Sequence, residues 1–132
     1  PRGAFRSVLL DAPCSGTGTL RKNPEIRWRL VPADLARLAV AQRALLGAAL
    51  DLCAPGGSVV YVTCSLEPEE NEEVVAAILG ERGAASVERP APSRLPPPLA
   101  RALRSDGVFR VAPGASNDGF TATVLRKGGG SR

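Results

Sequence analysis

Two short apolar runs separated by a long helical stretch constrain this fold more than any other feature of the chain. Ser7-Val8-Leu9-Leu10 ends at Asp11-Ala12-Pro13, where proline has no N–H to give a ladder and so stops the strand. It reads as a buried strand running into a polar loop. From Ala33 to about Ala54, Leu35, Leu38, Ala39, Gln42, Leu45, Leu46, Ala49, Leu50 and Cys53 recur at three- and four-residue steps, which puts them on one helical face. Pro55-Gly56-Gly57 stops that helix, and Ser58-Val59-Val60-Tyr61-Val62-Thr63, rich in β-branched residues, reads as a second buried strand. Pro68 suits the first position of another helix. Glu69, Glu70, Glu72 and Glu73 favour its positive end, and Val74, Val75, Ile78 and Leu79 form its apolar face. This strand-helix-strand-helix order, with short connections, predicts an α/β fold with a parallel sheet and right-handed crossovers. Functional residues should then gather at the C-terminal ends of the strands.

The remaining segments are less regular. Residues 14 to 29 read as an exposed loop with a basic stretch. Residues 83 to 98 hold prolines at 90, 92, 96, 97 and 98 and read as an extended surface connection, with a short helix from Leu99 to Leu103. Gly107 to Val111 and Gly119 to Leu125 are strand-like runs around a Pro/Gly/Asn/Asp turn, which predicts a C-terminal antiparallel hairpin. Residues 1–127 are expected to form one unit and residues 128–132 a flexible tail.

Composition excludes several kinds of chemistry. There is no histidine, so imidazole acid/base catalysis and the usual Cys/His zinc sites are ruled out, and no metal site is expected. The three cysteines, at 14, 53 and 64, make a poor disulfide framework and contain no CxxC. No apolar run approaches the roughly 20 residues that span a bilayer, and the first residues lack a signal-peptide core. A cytoplasmic protein without membrane partners is the default expectation. Seventeen Lys and Arg against 13 Asp and Glu give a net charge of +4, which suits a polyanion without demanding one.

Cys14 and Cys64 therefore stand out, because each follows one of two strands expected to be parallel neighbours. Their side chains could face one crevice, and a thiolate is a strong nucleophile. Taken alone, each reads more readily as a small buried residue than as a nucleophile. Two longer segments decide between these readings. Asp11-Ala12-Pro13-Cys14-Ser15-Gly16-Thr17-Gly18 and Tyr61-Val62-Thr63-Cys64-Ser65-Leu66-Glu67-Pro68-Glu69-Glu70-Asn71-Glu72 resemble the two cysteine motifs of the Nol1/Nop2/Sun family of RNA cytosine-5 methyltransferases. Gly18 to Trp28 resembles the bacterial 16S rRNA (Sun/RsmB-like) branch, and Asp118-Gly119-Phe120 resembles the family's C-terminal ending. The resemblance covers about residues 5 to 127. It departs at Thr121, where a second aromatic is usual, and at Ala112; neither position is expected to touch the cysteines.

The resemblance implies the C-terminal half of a Rossmann-like methyltransferase domain that uses S-adenosyl-L-methionine (S-adenosylmethionine). It implies Cys64 as the nucleophile that attacks C6 of a cytosine, and Cys14 as the group that assists loss of the C5 proton and product release. Asp11 and Pro13 are implied beside the cofactor, with Asp11 also at the cytosine edge; a turn cap is its plainer role. Arg21, Lys22, Arg27 and Arg29 either contact RNA phosphates, rRNA being the implied substrate, or form a solvated loop. Gln42 is either a satisfied buried amide or a functional contact. Cys53 is expected to pack in the core, and Trp28 to pack onto the helix in preference to stacking a base. A non-catalytic RNA-binding fragment and a thiol redox protein are the rival classes.

Family members hold their cofactor with a glycine-rich loop and acidic residues that lie upstream of the segment resembling this chain. The expectation is thus a C-terminal part of a longer enzyme, lacking its N-terminal half. The Val8 to Leu10 strand would keep an unpaired edge that permits self-association. S-adenosylmethionine should bind this chain alone only weakly. Calorimetric titration is the check, and micromolar affinity would overturn the expectation.

Overall fold

A computed structural model describes residues 2–129. Strand β1 (Phe5–Asp11) pairs in parallel with β2 (Cys53–Thr63), in the register Val8 to Val59, Leu9 to Val60 and Asp11 to Val62. The helix between them, α2 (Pro32–Leu52), follows a single helical turn, α1 (Ile26–Arg29). Proline at the start of α2 gives up an N–H that a first turn leaves unpaired anyway, and Asp34 accepts from the Val31 N–H at 3.2 Å. The helix ends one residue before Cys53, earlier than its periodicity suggested. Pro55-Gly56-Gly57 lies inside the extended segment as an irregularity, because Phe5 pairs with Cys53 whereas Ser7 already pairs with Ser58.

Beyond β2 the sheet turns antiparallel. Strand β5 (Phe120–Lys127) lies against β2, pairing Val59 with Leu125, Tyr61 with Thr123 and Thr63 with Thr121. The other edge of β5 is shared end to end by β3 (Ala85–Val87) and β4 (Val108–Val111). The predicted C-terminal hairpin is therefore present as β4 and β5. Strand β3 replaces part of the predicted extended connection; a three-residue Ala-Ser-Val run carries too little pattern to be read in advance. The short helix α4 (Pro97–Ala102) begins two residues before its expected start. Gly128 extends the β3–β5 ladder by donating to the Ala84 carbonyl at 2.6 Å, while residues 130–132 of the expected tail lie outside the described residues.

Helices α2 and α3 (Glu72–Arg82) cover one face of the sheet. Strand alternation sends Val59, Tyr61 and Leu125 toward them, where they pack with Leu46, Ala49, Leu50, Cys53, Val74, Val75 and Ile78. Cys53 packs as expected. Two expectations fail at the margins of this core. Strand β1 is an edge strand paired only with β2 among the described residues, and Leu9 is 71% exposed, so the run read as buried is solvated on one side. Leu45, placed on the apolar face by periodicity, is 39% exposed, since the covering strands reach only the stripe through Gln42, Leu46, Ala49 and Leu50. Among the described residues no helix is long and apolar enough to cross a membrane.

Leu46→Ala should cost about 2–5 kcal/mol by leaving a cavity in this core. Leu45→Ala should cost less than about 1 kcal/mol, because much of its surface is already in water. Denaturant midpoints of the two variants check the pair, and equal losses would refute the assigned helical face.

Candidate active site

Parallel pairing puts the C-terminal ends of β1 and β2 side by side, and the ladder runs one step further through Ala12 N–H to the Val62 carbonyl at 2.9 Å. Immediately beyond it the two chain segments bring Cys14 and Cys64 together, with Sγ atoms 3.0 Å apart and both residues half-buried. Both are free thiols within hydrogen-bonding distance. Burial pushes the Cys14 thiol up to about 12 from an ordinary 9.0, helped by its hydrogen bond with Cys64 and by repulsion from Cys64, against opposing backbone donors at Gly16 and Cys64. Two negative sulfurs cannot sit 3.0 Å apart at tolerable cost, so the pair holds on to a proton.

A buried polar shell holds both cysteines in place. Glu70 is wholly buried, and its carboxylate accepts from the Ser15 N–H at 2.8 Å, from the Ser15 hydroxyl, and from the Gln42 side-chain amide at 3.0 Å. The same amide donates to the Pro13 carbonyl at 2.9 Å, so Pro13, Cys14 and Ser15 are clamped from behind. Tyr61 donates its hydroxyl to the Glu70 carbonyl at 2.6 Å; burial, then the charges of Glu70 and Cys14, raise its pKa.

The turn after Cys64 is gripped from three sides. Asn71 donates to the carbonyls of Ser65 and Glu67 and accepts from the Thr63 hydroxyl at 2.6 Å. Thr121, on β5, donates to the Ser65 carbonyl at 3.0 Å. Thr17, in the cysteine loop, accepts from the Leu66 N–H at 3.0 Å. Gly18 then ties the two motifs to the β4–β5 turn, donating to the Cys64 carbonyl and accepting from Gly119 N–H. A Cβ at Gly18 would lie 2.3 Å from the Gly119 oxygen, so only glycine allows this approach.

Residues 2–126 match the 16S rRNA methyltransferase RsmB/F family. The chain belongs to that family. It is 46% identical over 123 residues to the ribosomal RNA small subunit methyltransferase B of Thermus thermophilus, covering 92% of this chain and 29% of that protein. It is 38% identical to the methyltransferase F of Serratia proteamaculans, covering 94% and 26%. The chain thus spans under a third of the length of these relatives. Among solved structures, NSun6 from Pyrococcus horikoshii, crystallised with SFG, has a TM-score of 0.70 at 31% identity, covering 90% of this chain and 29% of that one. A methyltransferase homologue from the same organism gives 0.68 at 32%, covering 94% and 39%.

Read on this RsmB/F chain, the expected site residues divide into three groups. Cys14 and Cys64 meet. Asp11 is exposed at the end of β1, its side chain without a hydrogen-bond or ion-pair partner among the described residues, and exposed Pro13 follows at the start of the cysteine loop. A free carboxylate at a strand end fits one wall of a cofactor or base site. Arg21 and Lys22, by contrast, are paired with Asp118 before β5, Lys22 at 2.7 Å. Trp28 corrects its expectation: it is 79% exposed instead of packed on the helix, because α1 turns Ile26 inward and its other side chains out. Thr121 hydrogen-bonds to the carbonyl of Ser65, next to Cys64, and bonds to neither cysteine among the described residues.

In the sequence Glu70 reads only as a helix-start glutamate, and Asn71 carries no assigned role. In a run of four glutamates around one asparagine, nothing marks the member that turns inward. Sequence reading also missed Arg110, which pairs with Glu72 and donates to the Leu66 carbonyl at 3.1 Å.

Cys64→Ala removes two of the three influences that raise Cys14 and leaves burial, the largest. Alkylation of Cys14, followed against pH by peptide mass spectrometry, should therefore begin at lower pH in the variant. Superimposable profiles would show that the two sulfurs do not interact.

Proposed function

We propose that this chain carries the nucleophile of an S-adenosylmethionine-dependent RNA cytosine-5 methyltransferase acting on 16S rRNA as part of a longer enzyme. The observation that supports it most is the meeting of Cys14 and Cys64 at 3.0 Å at the C-terminal ends of two parallel strands. Family membership supports the methyl transfer and the ribosomal substrate.

Cys64 attacks C6 of the target cytosine as a thiolate. The electron pair of the C5–C6 double bond moves into the ring, and C5 becomes a nucleophile. Bound S-adenosylmethionine would supply the methyl group that C5 takes, its sulfur keeping the electron pair of the broken S–CH3 bond and departing as a neutral thioether. The C5 proton must then leave, and its electron pair re-forms the double bond as the bond from C6 to the Cys64 sulfur breaks. Cys14 has two parts in this sequence. At rest it is a protonated thiol that donates to the Cys64 sulfur and steadies negative charge there. Once Cys64 is committed to the C6 bond, its repulsion and its hydrogen bond no longer hold the proton on Cys14, and burial alone remains. Cys14 can then release that proton to water and accept the one from C5.

Asp11 accepts from the exocyclic amine of cytosine or shares a proton with N3, and with Pro13 it forms the wall that the base and the cofactor share. The base reaches this crevice only by leaving its stack. The Glu70 and Asn71 shell keeps the two sulfurs in register while the bond to C6 forms and breaks.

A fluorine at C5 cannot leave as the proton does, so RNA containing 5-fluorocytosine should trap the full-length enzyme in the presence of cofactor. Mass spectrometry should map the adduct to Cys64. Cys64→Ala should abolish adduct and methylation, whereas Cys14→Ala should still form the adduct and release unfluorinated RNA slowly. An adduct at Cys14 would exchange the two roles.

A further inference from the structure

We infer that the exposed turn Arg27-Trp28-Arg29 is the landing site for single-stranded RNA next to the target cytosine, with Trp28 stacking on a neighbouring base and Arg29 holding the backbone phosphate. The inference rests on the methyltransferase reading above for where the strand leads.

Trp28 is the chain's one tryptophan and is 79% exposed. So much apolar aromatic surface in water is a cost that a binding partner removes. Its position relative to Cys14 is fixed. Ile26, in the same helical turn, is buried, and its Cδ1 lies against Gly16 of the cysteine loop. Leu30 N–H closes the turn on the Ile26 carbonyl at 3.0 Å.

A crevice of about 380 Å³ runs from Cys14 and Ser15 past Ile26 to Arg29, Leu30 and Arg37. Cys14 and Arg29, the neighbour of Trp28, thus line the same crevice. The charge along it points to a polyanion. Asp34 in its wall is engaged by Arg37 at 2.7 Å, whereas Arg27 and Arg29 have no ion-pair partner among the described residues. Arg21 and Lys22, the nearest other cations in sequence, are spent on Asp118. An exposed π-face flanked in sequence by two arginines with no ion-pair partner among the described residues matches a single strand, in which a splayed base offers a stacking surface and the phosphates offer charge. Enzymes that extrude a base commonly read the flanking nucleotides as well. An apolar protein partner would leave the two arginines without counter-charges.

Because the tryptophan is unique, its fluorescence reports this site alone. The 132-residue chain is titrated under reducing conditions with a single-stranded RNA of about eight nucleotides containing one cytosine. Quenching should saturate at or below ~0.1 mM, the weak end of non-specific nucleic-acid affinity. Arg29→Gln should lower the slope of log affinity against log salt by about 0.7, the loss of one single-strand phosphate contact. Arg101→Gln, on α4, should leave it unchanged. Trp28→Ala, followed by anisotropy of labelled RNA, should weaken binding about tenfold or more, the size of one lost base stack.

Absent quenching up to ~1 mM RNA overturns the inference. So does unchanged affinity in Trp28→Ala, and if that variant also melts earlier in the full-length enzyme, the indole packs against protein there. An adduct at Cys64 without quenching defeats this inference alone; quenching without an adduct defeats the methyl-transfer reading alone.

Discussion

The parallel register of β1 and β2 is the constraint from which the site follows. Two residues fifty positions apart in sequence become neighbours because Asp11 lies opposite Val62 and the ladder continues to Ala12. A slip of one residue would reverse which side chains face α2 and α3 and would separate the two sulfurs. Register is in turn fixed by burial, since only this alignment sends Val59 and Tyr61 inward while Leu9 and Val60 turn to the opposite face. The apolar packing of the sheet and the geometry of the crevice are therefore one choice.

Beneath the cysteines the protein accepts a buried polar cluster where an aliphatic one would have been simpler to satisfy. Glu70, Gln42, Asn71, Thr63 and Ser65 are all buried, and nearly every hydrogen-bonding group among them finds a partner. The Gln42 side-chain oxygen is an exception. Such a cluster costs desolvation when formed, but each unpaired group costs about 1–3 kcal/mol if the arrangement loosens. That asymmetry makes it rigid. The loop bearing Cys14 and the turn bearing Cys64 are fastened to the same few side chains, so neither sulfur can drift independently.

Much of this was legible in the chain itself. The strand ends, the long helix and the terminal hairpin follow from period and punctuation, and the two cysteines were marked by the motifs around them. What escaped was whatever depends on which neighbour arrives. Leu45 and Leu46 share a periodic face, but only the sheet's finite width decides which is covered. Glu70 looked like a helix-start glutamate because its partners, Ser15 and Gln42, lie far away in sequence. Trp28 was assigned to packing on residue type alone, and α1 is too short to show which way it faces. Strand β3 is recognisable only from its pairing with β5.

The placement of β5 has a consequence for how the molecule is made. It is the last strand in the described chain, yet it lies inside the sheet, with β2 on one side and β3 and β4 on the other. During synthesis, β1 and β2 can align while β5 is still in the ribosome, but β3 and β4 have nothing to join until it emerges. Thr121, which braces the turn beside Cys64, arrives with it. The surroundings of Cys64 are thus completed only once β5 has emerged, and a nascent chain stopped short of Phe120 holds two cysteines without the strand that sets one of them in position.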